Sequence, residues 1–159
     1  MEKAIFAAGC FWGVEAEFAA IPGVSTTQVG YSGGHTDHPS YDDVCAGNTG
    51  HAEAVLVTYD PSKISYTMLV EKFFELHDPT QLNRQGPDIG SQYRSAIFFT
   101  TNEQKDTARA VKDRLQQSGR YKHPIATTIQ LAGLFWRAED YHQQYFAKRG
   151  GGSCHVKTT

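Results

Sequence analysis

Hydrophobic residues recur along the chain with two different spacings, and the points where the spacing changes mark out its elements. Ile5 to Ala8 form a short unbroken apolar run that reads as a buried strand, with Gly9 as a turn. Phe11, Val14, Phe18 and Ile21 then repeat at helical spacing until Pro22-Gly23 ends the run. Val24 to Tyr31 are rich in β-branched residues and predict a strand, after which Ser32-Gly33-Gly34 opens a polar loop that runs to Gly50. From His51 to Tyr59 the period is two: His51, Glu53, Val55, Val57 and Tyr59 fall on one face, Ala52, Ala54 and Leu56 on the other. Glu53 therefore shares a face with apolar neighbours.

Ser65 is placed to cap a helix that carries Tyr66, Leu69, Phe73 and Leu76 on one side and ends at Asp78-Pro79. A second irregular stretch, Thr80 to Gln92, leads to a strand over Arg94 to Thr100. Thr101 and Gln104 have the spacing of a capping box for a helix bearing Ala108, Val111 and Leu115, which stops near Gly119. Ile125 to Leu131 predict a strand, and Ala138 to Lys148 a short helix, before Gly150-Gly151-Gly152-Ser153 and Cys154. This order of elements predicts an α+β fold, a two-layer sandwich of helices on one face of a mixed β-sheet around a ferredoxin-like core. Its two long loops are expected to gather near Cys10. Residues 1–149 are expected to form a single domain that carries the chemistry, and 150–159 a flexible Gly-rich tail.

Size and composition narrow the function. A chain of 159 residues, 40% hydrophobic and 20% charged, can bury a core without disulfides or metal. A formal charge of -2, with the basic residues scattered, provides no field for a polyanion, so nucleic acid is not an expected partner. No run approaches the ~18 apolar residues of a membrane span, so no membrane association is expected. Lys3, Ala4 to Gly9 and Cys10 superficially match a lipoprotein signal, but the apolar stretch is shorter than the roughly 7 to 15 residues of a signal core. Three cysteines are an odd number and argue against a secreted disulfide framework; reduced thiols in a cytoplasmic protein are expected, with at least one left for chemistry.

Cys10 stands where a strand turns into a helix, where unpaired N–H groups and the helix dipole favour thiolate. Taken locally, it is either a reactive thiol or a buried structural one. His35, His38, Cys45 and His51 could together serve a metal-binding module, although their spacing matches no familiar zinc pattern. A cysteine hydrolase is the other alternative, with His51 or His142 as the base for Cys10.

Four blocks of sequence bear on the choice. They are GCFWGVE at Gly9 to Glu15, GYSGG at Gly30 to Gly34, YDDVCAGNTGHAEAV at Tyr41 to Val55, and HDPTQLNRQGPDIGSQYRSAIF at His77 to Phe98. In content and order they resemble the A-type peptide methionine sulfoxide reductases, and together they span most of the chain. The resemblance implies an enzyme that reduces methionine S-sulfoxide, in proteins and as the free amino acid, and so repairs oxidative damage. It implies Cys10 as nucleophile, Glu53 as the acid that protonates the departing oxygen, and Tyr41 and Tyr93 as donors to that oxygen. Phe11 and Trp12 would hold the methyl group on sulfur, and Asp88 would orient water or Tyr93. Cys154 would resolve the Cys10 sulfenic acid as a disulfide, recycled by thioredoxin, while Cys45 would be structural or a secondary thiol. Members with two C-terminal cysteines pass the disulfide on; here Cys154 has no such companion. No cofactor and no metal is implied.

Overall fold

Alternate residues of the first strand, β1 (Glu2–Ala8), go to opposite sides: Ala4, Phe6 and Ala8 into a large core, Ile5 and Ala7 into a small one. In the computed structural model, which describes residues 1–149, β1 is followed by α1 (Phe11–Ala19), β2 (Val24–Ser32), α2 (Tyr41–Cys45), β3 (Ala52–Tyr59) and α3 (Tyr66–Glu75). Then come β4 (Arg84–Gln85), β5 (Asp88–Ile89), β6 (Ser95–Phe99), α4 (Asn102–Gln117), β7 (Thr128–Leu131), β8 (Trp136–Arg137) and α5 (Tyr145–Lys148). The expected tail with Cys154 lies outside the described residues.

Six strands pair in the order β7-β6-β1-β3-β2-β8. β6 and β7 run parallel and every other neighbouring pair antiparallel, which makes the sheet mixed. Within it, β1-α1-β2-β3-α3-β6 have the connectivity of a ferredoxin-like unit. The fold is α+β, as the order of elements predicted.

The large core holds Phe11, Val14 and Phe18 of α1, Leu69, Val70, Phe73 and Phe74 of α3, and Ala108 and Val111 of α4, so these helices lie on one face of the sheet. Phe6 anchors them: its ring stacks on Phe18 at 4.9 Å and on Phe73 at 5.4 Å. The opposite face is nearly all small residues, Ala7, Ala52, Ala54 and Ala96 with Ile5 and Phe98, covered by Ala132 and Phe135. Gly30 permits that cover. A Cβ there would run into the Trp136 carbonyl oxygen and the Phe135 ring, and Gly30 pairs with Arg137 of β8.

Besides the short β8, which the sequence analysis did not expect, the structure departs from the expected elements in four places. The first long loop contains α2, whose start is a true capping box: Ser40 Oγ accepts from the Asp43 N–H at 3.1 Å and Asp43 Oδ2 from the Ser40 N–H at 3.0 Å. The second holds the β4–β5 hairpin around Gly86-Pro87. At α4 only half of the expected box forms: Thr101 Oγ1 accepts from the Gln104 N–H, whereas Gln104 Oε1 accepts from the Thr100 N–H and its Nε2 donates to the Lys3 carbonyl. That glutamine ties the helix to β1 instead of closing its own cap. Finally, the helix expected over Ala138 to Lys148 is interrupted. A 3₁₀ turn, Asp140–His142, is followed by extended Gln143 and left-handed Gln144 (φ 54°), and only Tyr145–Lys148 is α-helical. Glu15 of α1 accepts from the Gln144 N–H, and the backbone of Val29 in β2 bonds the Ala138 N–H and the Gln143 amide; these tertiary bonds override the segment's local helical preference.

Candidate active site

Gly9, at φ 103°, turns the chain out of β1 so that Cys10 becomes the N-cap of α1, half-buried. β3 lies beside β1 and brings Glu53 to the same point. The Phe11 N–H, the first of the helix, donates to Glu53 Oε1 at 3.1 Å. Glu53 is 1% exposed, and its Oε2 is buried with no hydrogen-bond partner. Burial holds this carboxyl well above the usual range; the charge of Cys10 pushes the same way, the Phe11 N–H pulls against it, and Asp88 adds to the rise.

The two long loops meet over this pair. Tyr41 is the first residue of α2, and Tyr93 ends the 3₁₀ turn Ser91–Tyr93 that follows the β4–β5 hairpin. Arg94 clamps the arrangement, donating to the Ser91 carbonyl and to the Gly50 carbonyl, each at 2.9 Å. Burial, a hydrogen bond with Cys45 and the charge of Glu53 raise the Tyr41 phenol; burial and the charges of Glu53, Cys45, Asp88 and Cys10 raise that of Tyr93. Both hydroxyls therefore remain protonated and able to donate. Asp88, half-buried in β5, is near enough to act on both Glu53 and Tyr93.

Phe11 and Trp12 form the aromatic side. Phe11 is 1% exposed, with its ring 5.1 Å from His142, 5.8 Å from Tyr31 and 6.3 Å from Tyr41. The Trp12 indole N–H donates to His142 Nδ1 at 2.9 Å, and the indole stacks on Tyr145 at 3.7 Å. Since Nδ1 accepts, the proton of neutral His142 is on Nε2, which is buried without a partner. Burial keeps this imidazole below its ordinary value, against the pull of Glu139.

The structure thus brings together Cys10, Phe11, Trp12, Tyr41, Glu53, Asp88 and Tyr93. Cys154 lies outside the described residues. Sequence reasoning missed the support provided by the segment 139–145. Glu139 Oε1 accepts from the Tyr31 hydroxyl at 2.9 Å and Oε2 from the Tyr41 N–H at 3.0 Å. Burial works to raise the Glu139 carboxyl, but the N–H donors of Tyr41 and its own backbone, with the Tyr31 hydroxyl, outweigh it and leave it lowered. No periodicity marks these residues, because they act from an irregular segment that the pattern reads as helix.

The alternative roles for the histidines find no support. His51 Nδ1 accepts from the Gly34 N–H at 3.0 Å and its Nε2 lies 2.7 Å from the Thr36 carbonyl, so both nitrogens are committed to the loop. Among the described residues no group of three or more His, Cys, Asp or Glu side chains could hold a metal ion. For a hydrolase, His142 is poorly placed as a base: its Nδ1 accepts from the Trp12 indole N–H, and its Nε2, which carries the proton of the neutral ring, has no lone pair to offer. The ionisable group held against the start of α1 beside Cys10 is a carboxyl, Glu53.

Known proteins similar to this chain identify its family. A family model described as peptide methionine sulfoxide reductase matches residues 2–159. The chain is 60% identical over 154 residues to the peptide methionine sulfoxide reductase MsrA of Methanoculleus marisnigri, covering 97% of this chain and 94% of that one. Among solved structures it is similar to reduced Mxr1 from Saccharomyces cerevisiae, with a TM-score of 0.90 and 36% identity, over 98% of this chain and 89% of that one. It is also similar to Mxr1 in complex with Trx2, with a TM-score of 0.64 and 26% identity, over 91% and 84% of the two chains.

Proposed function

The chain belongs to the peptide methionine sulfoxide reductases of the A type and is an oxidoreductase, and from that premise we propose that Cys10 removes the sulfoxide oxygen with Glu53 as its acid. The observation that carries the reading is the buried Oε2 of Glu53, without a partner, on a carboxyl whose other oxygen is fixed by the first N–H of α1. With Oε1 accepting, the proton of the neutral acid is on Oε2.

The sulfur of Cys10 attacks the sulfoxide sulfur while that proton passes to the oxygen, which is a poor leaving group when charged. Tyr41 and Tyr93 donate to the oxygen as its negative charge grows. Attack joins Cys10 to the substrate sulfur as the S–O bond breaks, and the oxygen leaves as water with the thiol proton and that of Glu53. Water then adds to the Cys10 sulfur, returns a proton to Glu53 and breaks the S–S bond, so that sulfoxide and thiol become thioether and sulfenic acid and methionine leaves. Phe11 and Trp12 receive the methyl group, which selects the S epimer by shape. Asp88 orients water or the Tyr93 hydroxyl.

Cys154 then condenses with the sulfenic acid, forming the Cys10–Cys154 disulfide and releasing water. A dithiol reduces this disulfide; the complex of the similar protein Mxr1 with Trx2 supports thioredoxin in that part. Residues 1–149 act as one catalytic domain and 150–159 as the tail that delivers Cys154. The substrates are methionine sulfoxide in oxidised proteins and peptides and the free amino acid, in a reducing cytoplasm. No helix among the described residues is long and apolar enough to cross a membrane.

A single turnover without reductant tests the core of the reading. Cys10→Ser is expected to form no methionine from the S epimer. Glu53→Gln is expected to form it at least ~10²-fold more slowly, the usual range for loss of a general acid, with substrate binding much less affected. Equal first-turnover rates for Glu53→Gln and the parent would remove the acid role, and product from Cys10→Ser would remove the nucleophile.

A further inference from the structure

One buried carboxylate has no part in this chemistry. Glu15, on α1, is 2% exposed, yet three donors converge on it. Its Oε1 accepts from the Gln144 backbone N–H at 2.8 Å; its Oε2 accepts from Gln144 Nε2 at 2.7 Å and from Thr27 Oγ1 at 2.8 Å. Gln144 Nε2 also reaches the Thr27 carbonyl at 2.9 Å. Three of these four bonds hold a single residue, and that residue is in the left-handed region at φ 54°, ψ 42°. A side chain other than glycine stays there only when its surroundings compel it.

What Gln144 connects gives the clasp its meaning. Tyr145, next along the chain, stacks on Trp12 at 3.7 Å with the rings 8° apart. Gln143, just before it, is pinned through its amide to Val29 and Ala138, and His142 accepts the Trp12 indole N–H. One face of the Trp12 ring and its indole N–H are thus met by residues within two positions of Gln144. Glu15 lies three residues after Trp12 on the same helix, one turn away. The carboxylate that fixes the flanking segment therefore moves as one body with the ring that the segment packs against.

We propose that Glu15 is a positioning residue for the aromatic methyl pocket: by holding Gln144 it sets the place of Tyr145 and His142 against Trp12, and so sets substrate affinity and the preference between sulfoxide epimers. The proposal rests on the reading that Phe11 and Trp12 hold the methyl group. It separates two sides of the site. Cys10 and Glu53 are held where β1, β3 and the first N–H of α1 meet, and no hydrogen bond of the clasp reaches either of them, so loosening it is expected to alter fit to substrate and not the reactivity of the thiol.

The test compares Glu15→Gln with the parent, using each epimer of a methionine sulfoxide peptide separately. An amide has one oxygen for three donors, and its NH2 faces a donor, so the clasp opens. Expected are a kcat/KM for the S epimer lower by about tenfold and carried mostly by KM, and a reduced ratio of S to R. Trp12 fluorescence, read in a Trp136→Phe background, is expected to change, while Cys10 alkylation by iodoacetamide keeps its rate. Glu15→Gln combined with Gln144→Glu restores a carboxylate–amide pair and is expected to recover KM in part. If Glu15→Gln does not fold, Gln144→Ala carries the same criteria. Unchanged KM and Trp12 fluorescence would overturn the proposal, as would a loss confined to kcat with slower alkylation. Trp12→Ala distinguishes the two levels: if it leaves KM and epimer preference as they were, the methyl-pocket reading itself fails; if it alters them and Glu15→Gln does not, only the clasp fails.

Discussion

At the scale of single residues, the site is a set of side chains whose protonation is set by what surrounds them. Glu53 is the decisive one. Because burial raises its carboxyl above the usual range, the native protein holds a proton that the unfolded chain would already have released. Stability is then lost as pH rises from the ordinary carboxylate value through the raised native one, since over that interval the native state binds more protons than the unfolded state. The proposed acid step follows the same titration. First-turnover rates measured against pH should fall on the alkaline side as Glu53 is deprotonated, and in Glu53→Gln that fall should be absent from what rate remains. Urea unfolding at several pH values should show the midpoint falling over the same interval. A parent profile with no alkaline fall, or one shared with Glu53→Gln, would mean that some other group provides the proton. The placement of Cys10 between a strand and a helix and of Glu53 among apolar residues on one strand face was legible in the sequence, whereas the roles proposed for them came from the family resemblance. The parts of Glu139 and Glu15 were not legible, because nothing in their local spacing shows that a distant backbone N–H would arrive to meet them.

At the scale of elements, legibility followed length and periodicity. α1, α3, α4 and the strands β1, β2, β3 and β6 were readable because each carries enough regularly spaced apolar residues to declare a buried face. β8 has two residues and could not be read. α2 could have been found, since Ser40 and Asp43 have the spacing of a capping box, but five residues show too little of a repeat to stand out from a loop. The segment 138–148 was misread for a different reason: its helical pattern is real, and tertiary hydrogen bonds defeat it. Gly30 shows how such an irregular segment is admitted. It lets Phe135 and Trp136 press against β2, and from there the chain runs into Glu139 and His142 at the site. Gly30→Ala would force the Phe135 ring and the Trp136 backbone away, a cost of roughly 1 to 3 kcal/mol by the usual measure of overpacking. Urea denaturation should report that loss. The first-turnover rate should fall with it, because Tyr41 hangs by its N–H from Glu139; unaltered stability would show that β8 yields without cost.

For the molecule as a whole, the proposed cycle requires that an oxidised Cys10 be returned to a thiol. The last described helix, α5, is docked at the site: Tyr145 lies on Trp12, and Arg149 lies over the Tyr145 ring at 3.6 Å. Cys154 follows Tyr145 by nine residues, a length of chain that can span at most about 30 Å. In the proposed cycle, a thiol within that length of chain would meet the Cys10 sulfenic acid at an effective concentration in the millimolar range without any new interface. Recycling should therefore depend on Cys154 when the reductant is a protein dithiol, whose own approach to Cys10 is restricted by the aromatic residues around it. Cys154→Ser should leave the first turnover unchanged, accumulate a Cys10 sulfenic acid that dimedone traps and mass spectrometry detects, and slow thioredoxin-supported turnover by at least tenfold, roughly the advantage that tethering is expected to lend. A small dithiol such as dithiothreitol, which can reach the half-buried sulfur directly, should restore most of the rate. If thioredoxin supports Cys154→Ser as well as the parent, the resolving thiol is not Cys154. Cys45, which shares a hydrogen bond with Tyr41, would then be the next residue to replace.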